Sequence, residues 1–157
     1  MQKDPVDLGV FIVIRNEEGA YLIVLHNYGE KKISLPGGGL EQGEIVTDGI
    51  RREVFEETGF NIEITGLIGI FALQKKRGQV ILFEGEIVGG DFRQSNAEIA
   101  ACGFMTMESL ESSPDSIYQG QLNLLHQAEE FVENGRQIIY DHLTHLTPNL
   151  SIESENQ

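Results

Sequence analysis

Acidic side chains are dense in residues 38–60, which read GGLEQGEIVTDGIRREVFEETGF. The pattern predicts a helix over residues 46–58, and Gly59 is suited to the left-handed position that ends it. At about 100° per residue, Glu53, Glu56 and Glu57 fall on one face of this helix. Neighbouring carboxylates at that spacing lie about 5 to 6 Å apart and repel each other by on the order of 3 kcal/mol. A cluster of this kind requires a counter-charge.

The sequence offers one arginine for this purpose. Arg52 flanks the acidic face and can pair with one carboxylate, such as Glu44, which leaves at least two negative charges uncompensated. The helix dipole does not help, because Glu56 and Glu57 lie in the last turn, where the partial charge is negative. Mg²⁺ or Mn²⁺, which take oxygen ligands, would provide the missing charge. A solvated acidic helix face is the alternative interpretation.

Glycines beside the cluster favour the metal interpretation. Gly49 lies within the acidic arc, although glycine costs about 1 kcal/mol in a helix interior. We expect it to leave room for a metal-bound ligand. The preceding loop, LPGGGLEQGE, presents bare backbone that can approach a bound anion closely.

The elements around this stretch predict a layered fold. Two β-rich runs at residues 6–15 and 20–26 predict a hairpin, and runs at 61–73 and 79–90 predict a second hairpin around QKKRG. Residues 33–44 are expected to form a loop. A short strand, a turn of helix and a longer amphipathic helix within residues 116–135 should follow, and then a short strand at residues 138–140. The apolar stripe predicted for the long helix comprises Ile117, Leu122, Leu125, Ala128 and Val132. This order indicates the α/β (α+β) class with a mixed sheet.

Length and charge restrict the class of protein further. The 157 residues suffice for one domain, expected over residues 1–147, with a polar tail at residues 148–157. The formal net charge of −14 opposes binding to long nucleic acids. No apolar run is long enough for a membrane span and no signal-peptide pattern is present, so we expect a cytoplasmic protein. The single cysteine, Cys102, is expected to be a small buried residue.

The acidic stretch resembles the Nudix box, written G-x5-E-x7-R-E-U-x-E-E-x-G-U with U apolar. Every position matches, through Gly38, Glu44, Arg52, Glu53, Val54, Glu56, Glu57, Gly59 and Phe60. The resemblance implies the Nudix (MutT-like) hydrolase family and an α/β/α sandwich with a mixed central sheet and a C-terminal helix. It also implies hydrolysis of nucleoside diphosphates linked to a further moiety, with Mg²⁺ or Mn²⁺ as cofactor and a small nucleotide as partner.

The resemblance further implies roles for individual residues. The metal ligands would be the carbonyl oxygen of Gly37 and the carboxylates of Glu53, Glu56, Glu57 and Glu98. Arg52 would orient Glu53, the first candidate for the catalytic base, with Glu98 as the second. Glu98 stands in QSNAEIAACGFM, before a late strand, where family members often supply a further acid.

Other polar residues leave their roles open. Relatives commonly carry an arginine at the end of the second strand, where this chain has His26, which we expect at the surface. The basic run KKR at residues 75–77 would be a solvated hairpin tip or a clamp over phosphates. His142 and His145 have a spacing that suits a metal on a helix, but the helix itself is not strongly indicated.

The substrate is not fixed by these motifs. No proline lies between Phe60 and Pro114, where ADP-ribose hydrolases often have one. Elimination of this kind favours nucleoside triphosphates, canonical or oxidised. The alternatives are an ADP-ribose or sugar-nucleotide pyrophosphatase, a non-catalytic nucleotide-sensing domain of the same fold, and an isomerase of prenyl diphosphates. Substrate-binding residues and oligomeric state stay open, with a homodimer as one option.

Overall fold

The computed structural model describes residues 6–72, 78–93 and 97–140. The strands are β1 (Asp7–Ile14), β2 (Tyr21–His26), β3 (Ile33–Ser34), β4 (Gly37–Gly39), β5 (Phe60–Ala72), β6 (Gly78–Gly90) and β7 (Ile99–Met105). The helices are α1 (Val46–Thr58), which follows β4, and α2 (Met107–Ser112) and α3 (Gln121–Glu133), which follow β7. A 3₁₀ turn, Pro114–Ser116, lies between α2 and α3. None of the helices in these three ranges is long and apolar enough to cross a membrane.

The strands form two sheets. The larger sheet has the order β4-β1-β6-β5, and the smaller one has the order β3-β2-β7. In the larger sheet β1 and β6 are parallel, whereas the β1–β4 and β5–β6 pairs are antiparallel. The larger sheet is therefore mixed, as the resemblance implies.

β1 separates two hydrophobic cores. Its side chains alternate between the two faces of the sheet, as a strand requires. Ile12 packs in one core with Ile50 and Val54 of α1. Phe11 packs in the other core, to which α3 contributes Leu124, Leu125, Ala128 and Phe131. Helices thus cover both faces of the sheet, which confirms the α/β/α sandwich with its C-terminal helix.

The first predicted hairpin is wrong. A turn between β1 and β2 is present, with the N–H of Asn16 donating to Ala20 O at 2.9 Å. Beyond a single bridge between Arg15 and Tyr21, however, the two strands join different sheets. β1 instead lies between β4 and β6, and β2 lies between β3 and β7. Parallel pairing with β6 along the length of β1 outweighs the local pairing.

The second hairpin is confirmed, since β5 and β6 pair antiparallel; its tip, with the basic run, lies outside the described residues. The bounds of α1 match the prediction, and Gly59 ends it with a φ of 84°. The predicted loop at residues 33–44 contains the short strands β3 and β4. The short strand and the turn of helix that follow β6 are confirmed as β7 and α2.

The C-terminal helix differs from the prediction in its start and in its buried face. It begins only at Gln121, because Gly120 before it is left-handed, with a φ of 93°. The predicted stripe is right for Ile117, Leu125 and Ala128, which are buried. It is wrong for Val132, which is 44% exposed, and it missed the buried Leu124 and Phe131. The predicted strand at residues 138–140 is reduced to one parallel bridge from Ile139. The polar tail lies outside the described residues.

The end of α1 gives a test of the fold. Gly59→Ala should lower the free energy of unfolding by about 1 to 3 kcal/mol more than Gly19→Ala does. Both glycines are left-handed, with φ of 84° and 81°. A Cβ at Gly59 would lie 2.1 Å from Asp91 O, whereas one at Gly19 meets no heavy atom within 4 Å. Urea denaturation measures the difference, and equal losses in the two variants would contradict this account.

Candidate active site

The acidic face of α1 is held in place by its apolar face. Ile50 and Val54 are fully buried against the mixed sheet, and burial of each stabilises the fold by roughly 1.5 to 3 kcal/mol. This orientation leaves Glu56 exposed. Glu57 lies at the edge of the apolar face and is 5% exposed. The helix therefore carries one carboxylate into the protein interior.

The glycine strand β4 faces these carboxylates. The N–H of Gly37 donates to Oε1 of Glu57 at 2.8 Å. A Cβ at Gly37, whose φ is 151°, would lie 2.1 Å from Val10 O, and a Cβ at Gly38 would lie 2.9 Å from Cδ of Glu53. Glycine is required at Gly37, where the obstacle is the backbone of β1, whereas a side chain at Gly38 would displace the carboxylate of Glu53.

Arg52 holds three carboxylates together. Its Nε and Nη2 donate to Glu44 at 2.7 and 3.0 Å, a bidentate pair. Its Nη1 donates to Glu53 at 3.0 Å and to Glu56 at 3.1 Å. The hydrogen bond from Arg52 lowers the pKa of Glu44, and the hydrogen bond to Glu44 is the largest cause that raises the pKa of Arg52. The predicted pairing of Arg52 with Glu44 is confirmed.

Glu53, which is half-buried, and Glu57, which is buried, carry the negative charge that Arg52 does not compensate fully. Burial is the largest cause that raises the pKa of Glu57 well above its ordinary value, and the charges of Glu53, Glu98 and Glu56 add to it. Burial likewise raises the pKa of Glu53, and Arg52 opposes that shift. Arg52 thus hydrogen-bonds to three carboxylates and lies 3.8 Å from a fourth, that of Glu41, whereas the partner of Glu57 is a neutral backbone N–H.

The donor set fits a hard divalent cation, because it consists of carboxylate oxygens with excess negative charge beside bare glycine backbone. Within the described ranges, no group of three or more His, Cys, Asp or Glu side chains is already arranged to hold a metal ion. Two of the carboxylates, those of Glu53 and Glu56, contact Arg52. A bound cation would therefore compete with Arg52 for them.

A cavity of about 600 Å³ adjoins the cluster. Its walls include Glu53, Glu57 and Glu98 together with the glycines of β4. Glu98 lies in a bend before β7, where its carbonyl oxygen accepts the N–H of Asn27 at 2.7 Å. The fold thus brings together the predicted site residues Gly37, Glu53, Glu57 and Glu98. Glu56 reaches this group through its ion pair with Arg52 and does not line the cavity.

Two expectations about single residues are wrong. His26 is only 9% exposed and lies in the cavity wall, where its Nε2 is 2.7 Å from Ser34 Oγ. A Cβ at Gly49 would lie 2.3 Å from Cδ2 of Leu40 and 3.0 Å from Oε1 of Glu44. Gly49 therefore makes room for the loop before α1 and not for a metal-bound ligand.

Cys102 is half-buried. Burial raises the pKa of its thiol, and the negative charge of Glu57 raises it further, which does not suit a nucleophile. His142 and His145 lie outside the described residues.

Sequence reasoning missed the rest of the cavity wall. Phe11, His26, Tyr28 and Ser34 come from three separate parts of the chain and line the cavity together. Their spacing in the sequence gives no signal of this, because only the pairing of the strands brings them close.

The chain belongs to the Nudix hydrolase family, since the model of the NUDIX domain matches residues 5–128. Members of this family are typically dependent on divalent metal ions. A Bacillus subtilis (strain 168) protein assigned as an 8-oxo-dGTP diphosphatase is 33% identical over 95 residues, which are 59% of this chain and 61% of that protein.

Solved structures that resemble this fold include the following two. A NUDIX hydrolase from Nitrosomonas europaea has a TM-score of 0.73 at 22% identity, covering 85% of this chain and 93% of that chain. A UDP-X diphosphatase has a TM-score of 0.68 at 27% identity, covering 89% of this chain and 68% of that chain.

The glycine strand gives a test of the cluster. Gly38→Ala should weaken Mn²⁺ binding by roughly 10- to 100-fold, because the new Cβ would displace the Glu53 carboxylate from its position in the cavity wall. Gly39→Ala is the matched control, since a Cβ there meets no heavy atom within 4 Å. Titration calorimetry measures both affinities. Equal affinities would show that Gly38 does not position Glu53 for a cation.

The buried carboxylate gives a second test, in metal-free buffer. The raised pKa of Glu57 means that the folded protein binds this proton more tightly than the unfolded chain does. Stability is then lost as pH rises from the ordinary glutamate pKa through the raised one. Glu57→Gln should therefore increase the free energy of unfolding at pH 8 and flatten its pH dependence.

The control for this test is Glu63→Gln, which removes the same charge from an exposed position on β5. Urea denaturation in the presence of a chelator, between pH 5 and pH 8, provides the measurement. A Glu57→Gln variant that is less stable than wild type at pH 8 would refute the account.

Proposed function

We propose that the protein is a Mg²⁺-dependent pyrophosphohydrolase that cleaves the diphosphate linkage of a small nucleotide derivative, with nucleoside triphosphates as the favoured substrates. The observation that carries this proposal is the buried carboxylate of Glu57, held by a glycine N–H at 2.8 Å. It lies in a cavity whose acidic residues exceed the charge of the adjoining Arg52. Membership of the Nudix hydrolase family supports the reaction type.

The metal ligands in this proposal are Glu53, Glu56, Glu57, Glu98 and the carbonyl oxygen of Gly37. Mg²⁺ is the expected ion, and Mn²⁺ is the expected substitute. When bound, the ion would neutralise the diphosphate, stabilise the charge that develops at phosphorus and acidify the attacking water.

The protein residues position the groups that react. Glu53 is the proposed base, because burial raises its pKa and so favours proton uptake. Arg52 keeps the Glu53 carboxylate oriented through the ion pair at 3.0 Å. Glu98, in the wall of the same cavity, is the second candidate for the base. Glu57 stays in place through the N–H of Gly37.

The favoured substrate class rests on the Bacillus relative assigned as an 8-oxo-dGTP diphosphatase and on the elimination made from the sequence. The second candidate class comprises nucleoside diphosphates linked to a sugar or a similar group, such as ADP-ribose. The UDP-X diphosphatase favours this second class.

The direct test is incubation of the purified protein with Mg²⁺ and a panel of nucleoside triphosphates, 8-oxo-dGTP, ADP-ribose and UDP-sugars. A nucleoside monophosphate should appear, and its release should stop when a chelator is added. Ligand-induced thermal stabilisation without turnover would instead identify a nucleotide-sensing domain.

Substitutions in the cluster should separate the roles of its members. Glu53→Gln should lower kcat by on the order of 10² to 10⁴, the loss expected when a general base is removed. Arg52→Gln should lower kcat less, because Arg52 orients Glu53 and does not itself accept the proton. Glu63→Gln on the exposed face of β5 is the charge-matched control. If kcat is unchanged in Glu53→Gln and falls strongly in Glu98→Gln, then Glu98 and not Glu53 is the general base.

A further inference from the structure

His26 is buried at the end of β2 with neighbours that are mainly aromatic. The rings of Tyr28 and Tyr118 both pack edge-on against it, with centroids 5.3 Å away. Its Nε2 is 2.7 Å from Oγ of Ser34 on the neighbouring strand β3. Burial lowers the pKa of His26, so the ring is neutral at neutral pH.

The hydrogen bond to Ser34 determines which ring nitrogen carries the proton. The hydroxyl of Ser34 has one hydrogen, and it donates that hydrogen to Leu35 O at 2.9 Å. With that hydrogen on Leu35 O, Oγ of Ser34 accepts from His26, and this hydrogen-bond arrangement assigns the ring proton to Nε2. In a neutral ring the other nitrogen, Nδ1, then has a free lone pair and is an acceptor.

Nδ1 has no hydrogen-bond partner within the part of the chain that the structure describes, although it is shielded from solvent. A buried acceptor in that state is unfavourable and rare in native proteins. His26 lies in the wall of the cavity beside the acidic cluster. Tyr28 also lines this cavity and is 48% exposed, and its ring packs edge-on against that of His26.

We propose that Nδ1 of His26 accepts a hydrogen bond from an N–H or O–H group on the nucleoside part of the substrate, which reaches it when the ring of Tyr28 turns aside. The proposal rests on the proposed function, because it places the nucleoside in the same cavity as the acidic cluster. A phosphate oxygen is excluded as the partner, because both that oxygen and the unprotonated Nδ1 are acceptors and neither can donate a hydrogen bond.

Equilibrium binding tests the proposal without requiring turnover. The double variant His26→Phe with Ser34→Ala keeps a ring between the two tyrosines and leaves neither member of the buried pair unsatisfied. Ser34→Ala alone is the matched control. The probes are α,β-methylene analogues of nucleoside triphosphates and inorganic tripolyphosphate, each with Mg²⁺.

The double variant should bind the nucleotide analogues roughly 3- to 10-fold more weakly than Ser34→Ala does, the usual range for one hydrogen bond. Its affinity for tripolyphosphate should match that of Ser34→Ala. An equal loss for both probes, or no loss for the nucleotides, would overturn the proposal. Analogues methylated on the base N–H groups and analogues lacking the 2′- or 3′-hydroxyl identify the donor. The analogue that lacks the donor should bind equally well to the double variant and to Ser34→Ala.

Nitrogen-15 NMR of the wild-type histidines gives an independent readout that does not depend on how a variant folds. The chain has four histidines, and the resonance absent from the double variant belongs to His26. Without ligand, Nδ1 should give the signal of an unprotonated nitrogen, and the nucleotide analogue should move it upfield. A protonated Nδ1 in the free protein, or no shift on binding, would refute the proposal. Binding and this shift without hydrolysis of the natural nucleotides would refute the proposed function alone.

Discussion

Crowding of carboxylates against a single arginine is the constraint on which the rest of the site depends. The acidic residues of α1 cannot move apart, because Ile50 and Val54 fix the helix against the mixed sheet. Arg52 relieves only part of the repulsion, since it is shared by Glu44, Glu53 and Glu56. The deficit falls on Glu57, which is 5% exposed and pairs with a neutral N–H. The helix thus provides negative charge at a fixed place for a cation.

The sequence was sufficient for the features of α1 that depend on local spacing. The bounds of α1, its left-handed end at Gly59 and the pairing of Arg52 with Glu44 follow from a helical repeat over fewer than twenty residues. Contacts between distant segments were not predictable in this way. The neighbours of β1 are β4 and β6 and not β2, because strands buried on both faces carry no mark of which neighbours they take. Gly49 was misinterpreted for a related reason, since the side chain it accommodates, Leu40, comes from the preceding loop.

The cavity is lined by two kinds of side chain, acidic ones and uncharged aromatic or polar ones. The described residues that line it include Asp7, Glu41, Glu44, Glu53, Glu57 and Glu98, but no lysine or arginine. Phosphate groups would therefore be attracted by bound cations and not by the side chains of these walls. The uncharged polar and aromatic residues of the same walls, His26, Tyr28 and Phe11, are suited to the part of a nucleotide that carries no charge. In the proposed function, selection among nucleotides would rest on neutral hydrogen bonds, because a buried polar group left without a partner costs more than a hydrogen bond contributes.

The acidic cluster is also connected to the sheet through a hydrogen bond between α1 and β4. Glu57 accepts the N–H of Gly37, and Gly37 belongs to β4, which pairs with β1. A Cβ at Gly37 would lie 2.1 Å from Val10 O, so β4 has little freedom to move toward β1. Neutralisation of Glu57, by a proton or by a cation, therefore relieves repulsion without separating the strand from the sheet. The rigidity of the cluster makes it unfavourable without a cation, because its carboxylates cannot move apart. The same rigidity would lower the cost of ordering these carboxylates when an ion binds.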